Sequence, residues 1–351
     1  MFEPKYNLTD EIVRMLTEIA EAKVVIQRAK LLPKQELGLR RQAILRQTQS
    51  STAIEGNMLS MKQVEALYGH KKVDAPKRDI YEVQNYLKTL KYIGELVKKK
   101  DKLTEKVLLK IHKLVTDKTL PREQSGKYRQ SMVYVVRRRL GVSDEVVYTG
   151  PGTKAVPCLC RDLIKWIEKS EELKINPVIV AGIVHQEIAA IHPFADGNGR
   201  TARALATLIL YSRGYDFRQL FALEDYYNHD RSAYYAAINI GNNYEKRRVD
   251  FTPWLEYFVT GFREEIEVVS KEVRRLSLKK VDKKIESKIY LTKSQQLILD
   301  WLDQMGRITT SDVVDVLGCA KRTAQLEMKK LKKLGIVKSV GKGPATYYLL
   351  K

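Results

Sequence analysis

Twelve consecutive residues, His192-Pro193-Phe194-Ala195-Asp196-Gly197-Asn198-Gly199-Arg200-Thr201-Ala202-Arg203, gather the side chains best suited to chemistry in this chain. Gly197-Asn198-Gly199 tolerates positive φ, so successive N–H groups can turn inward and form a nest for an anion. The segment opens a helix, whose N-terminus adds a favourable dipole for phosphate. Arg200 and Arg203 lie one turn apart, so both guanidinium groups can face one polyphosphate. Asp196 is a hard oxygen ligand suited to Mg²⁺ shared with phosphate oxygens. His192, at the loop entrance, is a base of near-neutral pKa able to take a proton from an attacking hydroxyl. Phe194 is expected to point into the core and pin the loop. The plainer alternative is a Gly-rich turn with incidental charges. The convergence of His, Asp, three small loop residues and two spaced Arg favours a phosphate-binding loop with a candidate base.

The elements that must hold this loop are read from periodicity. A very apolar helix is predicted over 177–190 and another from the loop to about Tyr211. Residues 8 to about 100 read as helical: Asn7-Leu8-Thr9-Asp10-Glu11 marks a helix start, Leu39–Glu55 a helix ending at Gly56-Asn57, and Asp79–Lys100 a further helix. Residues 104–116 form another. Tyr128 to Tyr148 is Val- and Tyr-rich and reads as a β-hairpin, with Gly141–Glu145 between its strands and Gly150-Pro151-Gly152 closing it. Helices follow over Val156–Glu168, about 225–240 and 252–275. After a charged stretch, Lys279–Lys288, the pattern is helix (Thr292–Gln304), helix (Thr310–Leu317), turn, helix (Ala320–Leu334), strand (Ile336–Val340), Gly341-Lys342-Gly343-Pro344 turn and strand (Ala345–Leu350). That order is a winged helix-turn-helix.

Composition sets the bounds. The 351 residues are enough for two or three domains with a real core. Cys158, Cys160 and Cys319 make no disulfide framework or metal-ligand spacing and read as reduced thiols. No basic-then-apolar leader and no long apolar run occur, so a cytoplasmic, non-membrane protein is expected. The net charge is +21, favouring polyanionic partners. The segment from 271 onward carries 19 Lys and Arg against 8 Asp and Glu.

The loop resembles the signature of Fic-domain proteins, His-Pro-Phe-x-Asp/Glu-Gly-Asn-Gly-Arg-x-x-Arg, with every specified position filled. The resemblance implies a mainly α protein: a Fic helical core with a β-hairpin flap, an N-terminal helical extension and the C-terminal winged helix-turn-helix. It divides the chain into 1–100, 101–275 and 285–351. It implies a nucleotidyltransferase that moves AMP from ATP to a Ser, Thr or Tyr hydroxyl of a target protein, and of itself. His192 is then the general base and Asp196 holds Mg²⁺. Gly197, Asn198, Gly199 and Arg200 cradle the α- and β-phosphates with Thr201 beside them, and Arg203 meets the γ-phosphate. The hairpin fits the flap that aligns a target strand by β-augmentation, with Val146, Val147 and Tyr148 as its edge; Arg137-Arg138-Arg139 and Gly141–Glu145 look like an inserted tip. In this family a Tyr pair in the region after the loop commonly lines the adenine and ribose pocket; of Tyr226-Tyr227 and Tyr234-Tyr235 the second pair is favoured, with Asn239 or Asn243 as polar neighbours.

Ser51-Thr52-Ala53-Ile54-Glu55-Gly56 resembles the family's inhibitory motif, Ser/Thr-x-x-x-Glu-Gly/Asn. Glu55, one turn after Ser51, would pair with Arg203 and occupy the γ-phosphate site, so that bound ATP is misplaced for in-line attack. In the C-terminal module, Lys321 and Arg322 on the recognition helix and Lys342 at the wing tip are candidate DNA contacts; a protein-interaction or self-association module is the alternative. Two other readings remain open: a DNA-binding regulator whose Fic domain only senses nucleotide, and a Fic variant that removes AMP or moves another phosphate-containing group. Homo-oligomerisation through helices is expected to be possible.

Overall fold

An almost unbroken run of apolar residues dictates the centre of the molecule. In the computed structural model, which describes residues 2–139, 142–247, 250–278, 291–341, 343 and 346–351, that run is a helix with nearly every side chain buried. In chain order the helices are α1 (Asp10–Arg28), α2 (Pro33–Ile54), α3 (Met61–Tyr68), α4 (Lys77–Lys99) and α5 (Glu105–Val115). The hairpin strands β1 (Tyr134–Arg139) and β2 (Val142–Thr149) follow. Then come α6 (Val156–Glu172), α7 (Pro177–Ile191), α8 (Asn198–Ser212), α9 (Leu223–His229), α10 (Arg231–Ile238) and α11 (Thr252–Leu278). Asn176 caps α7 by accepting the Val178 N–H, and Pro177 at the first helical position lacks the N–H that would need a partner there.

α7 packs against α8, α11 and α6. The Trp254 indole N–H donates to Gly182 O at 2.7 Å. Gly182 is required by this closeness: a Cβ there would stand 2.8 Å from Leu255 Cδ2 and 3.1 Å from Phe258 Cδ1. α1 lies along α11, and α2 crosses α9, α4 and α3. These contacts lay the N-terminal helices directly over the core.

The C-terminal segment is α12 (Lys293–Met305), β3 (Ile308–Thr309), α13 (Thr310–Leu317), α14 (Lys321–Lys333), β4 (Val337–Val340) and β5 (Tyr347–Leu350). Its antiparallel sheet runs β3-β5-β4. Ile298, Leu302, Val313, Met328, Leu331 and Val337 form its own core, which Leu37 of α2 joins. The mainly helical architecture with a hairpin and a winged helix-turn-helix is therefore present. The short β3 and α3 were not read from the sequence.

Two expectations need correction. The stretch 225–240 is not one helix: Asp230 breaks it, because its carboxylate accepts the Ala233 N–H and caps α10. Val142–Glu145 is strand, not hairpin tip, since β1 and β2 stay paired through Arg137↔Glu145 to Arg139↔Val142. Lys279–Lys288, Gly141 and Lys342 lie outside the described residues.

Replacing Gly182 by Ala should overpack the α7–α11 contact and lower stability by about 1–3 kcal/mol. Urea unfolding of the variant beside the parent chain measures this; an unchanged midpoint would show that the contact yields freely.

Candidate active site

The turn from α7 to α8 is built from the inside out. Phe194 is fully buried and stacks on His112 of α5, ring centroids 3.7 Å apart. The Phe194 N–H donates to Asn198 Oδ1, and Asn198 Nδ2 donates back to Phe194 O, both at 2.9 Å. This staple holds the turn closed. Gly197 opens α8 at φ 76°, where a Cβ would also meet Thr116 Cγ2 at 2.8 Å, so no other residue fits. Thr201 spends its hydroxyl on Gly197 O at 2.8 Å and is buried, so it supports the helix start and offers no side chain to a ligand.

His192 ends α7 in the left-handed region (φ 49°, ψ 57°), a conformation costly for a non-glycine residue. Arg129 fixes it there. Its Nε donates to His192 O at 2.8 Å, its Nη2 to Pro151 O at 2.5 Å, and its backbone N–H to Pro193 O at 3.0 Å. The His192 Nδ1 lies 3.2 Å from Ala189 O, which can only accept. The neutral ring therefore carries its proton on Nδ1 and presents Nε2 as the basic nitrogen. Burial pushes the His192 pKa below its usual value, which keeps the ring neutral at pH 7.

Both arginines are buried beside the α8 N-terminus. Arg203 donates from Nη2 to Glu55 Oε1 and to Ser51 O, each at 2.8 Å, and from Nε to Ser51 Oγ at 2.9 Å. A Cβ on Gly199 would collide with Glu55 Oε1, so the carboxylate rests on the bare backbone of α8's first turn. That is the place a helix dipole and free N–H groups favour an anion. Arg200 has Nη1 3.2 Å from Glu82 Oε1, and its buried Nε has no hydrogen-bond partner among the described residues. A buried guanidinium with an unused donor suits an incoming oxyanion. Asp196 Oδ1 accepts the Gly197 N–H at 2.6 Å and Oδ2 accepts from Arg78 Nη2 at 2.9 Å. Among the described residues no three His, Cys, Asp or Glu side chains converge on a metal-sized site. A cation here would be held by the Asp196 carboxylate together with ligand oxygens. The hard, partly exposed carboxylate fits Mg²⁺ used in that way.

The two candidate tyrosines separate. Tyr234 is buried behind the arginine, its OH 3.0 Å from His185 Nε2 and 3.4 Å from Arg203 Nη1. It buttresses Arg203 and does not line an open pocket. Tyr235 is half exposed, and its OH donates to Ile54 O at 3.0 Å, directly tying it to the end of α2. Asn239 is exposed and accepts the Gly241 N–H, and Asn243 pairs with Thr149 at the flap base. In the flap, Val146 is exposed and Val147 half-buried, whereas Tyr148 is buried with its OH donating to Ala190 O at 2.6 Å. Tyr148 therefore anchors the hairpin to α7 and offers no side chain at the edge. Lys321 and Arg322 are exposed on α14.

Sequence reading missed His112, Arg129, Arg78 and Glu82. Each acts through a contact with the loop from more than 60 positions away, and only residue type was visible.

Residues 102–210 match the model of the Fic/DOC family. The chain carries a Fic domain. Residues 292–351 match the model for the C-terminal domain of DIP2311-like transcriptional regulators. Similar proteins include the protein adenylyltransferase Fic of Aedes aegypti, 29% identical over 216 residues, which are 61% of this chain and 39% of that protein. The protein adenylyltransferase fic-1 of Caenorhabditis elegans is 31% identical over 196 residues, 55% of this chain and 35% of that protein. The chain thus spans well under half the length of the curated relatives it matches. A Fic family protein from Desulfovibrio desulfuricans G20 superposes over 100% of this chain and 98% of its own, with TM-score 0.63 and 26% identity. No helix among the described residues is long and apolar enough to cross a membrane.

The loop of this Fic domain rests on a neutral His112: its Nε2 faces Asp196 O at 3.0 Å, and its Nδ1 accepts the Gly126 N–H at 3.0 Å. Burial lowers its pKa from 6.5 to about 4. The unfolded chain then binds this proton at higher pH than the folded one. The stability is therefore full above pH 6.5 and is lost as pH falls toward 4, by about 3 kcal/mol at most. Urea midpoints at pH 7 and pH 5 should differ less for His112→Gln than for the parent. An equal difference would remove His112 from the acid response.

Proposed function

We propose that the protein is an adenylyltransferase that moves AMP from ATP to a hydroxyl side chain of a target protein, restrained by Glu55. The observation that carries this reading is the buried Arg203 guanidinium clasping the partly exposed Glu55 carboxylate on the first turn of α8, with the His192 imidazole on the same loop. A carboxylate clasped by an arginine over a helix N-terminus marks an anion site. The family's named adenylyltransferases supply the reaction.

In this mechanism the γ-phosphate takes the Glu55 position on Arg203. The unused Arg200 donor and the backbone of Gly197–Gly199 receive the inner phosphates. A target hydroxyl, presented along the flap, approaches the α-phosphorus. His192 Nε2 accepts its proton as the new O–P bond forms. The bond from the α-phosphorus to the bridging oxygen breaks, and pyrophosphate leaves with its electron pair. Magnesium, which Asp196 would hold, neutralises charge on the phosphate oxygens when bound. Tyr235, half exposed beside the end of α2, is the aromatic side chain assigned to meet the nucleoside.

Glu55 is the brake because it and the γ-phosphate need the same donors. While the carboxylate stays, the triphosphate is displaced from the line of attack, and near-attack geometry governs rate by orders of magnitude. The C-terminal domain is proposed to contact DNA, since α14 exposes Lys321 and Arg322 and the domain resembles one from transcriptional regulators.

Incubated with labelled ATP and Mg²⁺, Glu55→Gly should incorporate AMP at least about tenfold faster than the parent, and His192→Ala should lose about 10²–10⁴-fold. A parent and a Glu55→Gly chain equally active, with the same nucleotide pose, would refute the brake. Retention on DNA should fall steeply with salt and vanish when residues 285–351 are deleted; salt-independent retention would argue for a different use of the basic face.

A further inference from the structure

Asp196 is approached from the N-terminal extension by a cation. Arg78, in the first turn of α4, donates from Nη2 to Asp196 Oδ2 at 2.9 Å and from Nε to Glu82 Oε1 at 3.1 Å. The Glu82 carboxylate is buried; Oε1 also lies 3.2 Å from Arg200 Nη1, and Oε2 accepts from Asn57 Nδ2 at 3.0 Å. Asn57 stands two residues beyond Glu55. The extension therefore places one carboxylate on each loop arginine and one guanidinium on the loop carboxylate.

These contacts differ in how firmly they are held. The Arg78 side chain is 62% exposed, whereas Glu82 is 6% and Arg200 2% exposed. Asp196 Oδ1 accepts the Gly197 N–H of its own loop and lies 3.6 Å from the buried Arg200 Nη2, and only Oδ2 faces Arg78. Arg78 is thus the movable member of an otherwise fixed cluster, and it covers the oxygen a divalent cation would need.

We infer that Arg78 is a displaceable counter-ion of Asp196, standing in for the divalent cation as Glu55 stands in for the terminal phosphate. The inference rests on the nucleotide-site reading above. Magnesium gains Asp196 only by displacing the guanidinium, so Arg78 sets how much magnesium the site requires. When Arg78 swings to solvent, Glu82 stays paired with Arg200 and the phosphate-facing arginine keeps its orientation. Arg78 is a positioning residue: it acts through Asp196 and touches no reacting atom.

The test uses the full chain with His192→Ala, so that nucleotide is not turned over. ATP binding is measured by calorimetry across a magnesium series, with and without Arg78→Gln. The glutamine variant should need about tenfold less magnesium for half-maximal enhancement of ATP affinity, equivalent to about 1.4 kcal/mol, with affinity in chelator unchanged. Arg78→Lys, which keeps the charge, should stay near the parent midpoint. Unchanged or higher magnesium demand in Arg78→Gln, or no magnesium dependence in the parent, overturns the inference while leaving the nucleotide site standing. ATP binding by neither chain at any magnesium concentration overturns the nucleotide reading and this inference with it. Equal thermal midpoints of the variants show that the exposed substitution leaves the fold intact.

Discussion

A guanidinium buried as deeply as that of Arg203 must always have an anion beside it. Moving such an ion out of water costs several kcal/mol even after relaxation, and only a well-placed partner with further hydrogen bonds offsets that cost. Here Ser51 O, Ser51 Oγ and the Tyr234 hydroxyl satisfy the directional donors, and the Glu55 carboxylate supplies the charge. Burial alone would lower the Arg203 pKa; Glu55, with Tyr234 and Tyr86, more than offsets it, and the net shift is upward. The pocket is thus defined by its demand for negative charge, and a carboxylate and a phosphate are interchangeable answers to it.

That demand explains an otherwise odd helix. The last two turns of α2 bury Gln47, Thr48, Ser50, Ser51 and Thr52, polar residues an ordinary amphipathic helix would turn to water. Gln47 donates to Thr207 Oγ1 and Glu224 Oε1, and Ser50 to Asp225 Oδ1, so α2 is docked by hydrogen bonds to α8 and α9. Glu224, whose carboxyl burial pushes up to about 7, belongs to the same layer behind Arg203. Such polar docking is geometrically exacting, because each donor left unpaired would be penalised. It fixes where α2 ends, and with it where Glu55 sits. Gly199 completes the arrangement by leaving room for a carboxylate against the helix backbone.

The sequence made local chemistry legible and tertiary chemistry much less so. His192, Asp196, Arg200 and Arg203 share one loop and one helical turn, so their convergence follows from spacing. The apolar runs of α7 and α8 announced the core because a buried helix needs no alternation. Tyr234 and Tyr235 show the limit: adjacent residues on a helix point about 100° apart, and only packing against His185 decides which one is buried. His112, Arg129, Arg78 and Glu82 reach the loop from other elements, and nothing in their immediate neighbours distinguishes them from surface charges or a core imidazole. Tyr148 read as an edge residue, but the ring's reach to Ala190 O depends on how the hairpin leans on α7. The Ser51–Gly56 motif was visible only through resemblance, since its partner lies 148 positions away.

The ion pairs that join the extension to the loop are better suited to switching than to holding the fold together. Exposed pairs such as Arg78 with Asp196 contribute about 0–1 kcal/mol, and a buried pair recovers little more than its own desolvation. A ligand at a hundred times its dissociation constant contributes about 2.7 kcal/mol to whichever state binds it. On the proposed reading, nucleotide at such a level would compete with Glu55 for Arg203 without unfolding anything. The remaining polar contacts of α2 would keep the helix docked while its terminal carboxylate moved. A brake made instead of packed leucines would bury area worth several kcal/mol and leave only by local unfolding. Under the proposed brake, polar docking with a charged tip would let the fold stay intact while one side chain exchanged places with a phosphate.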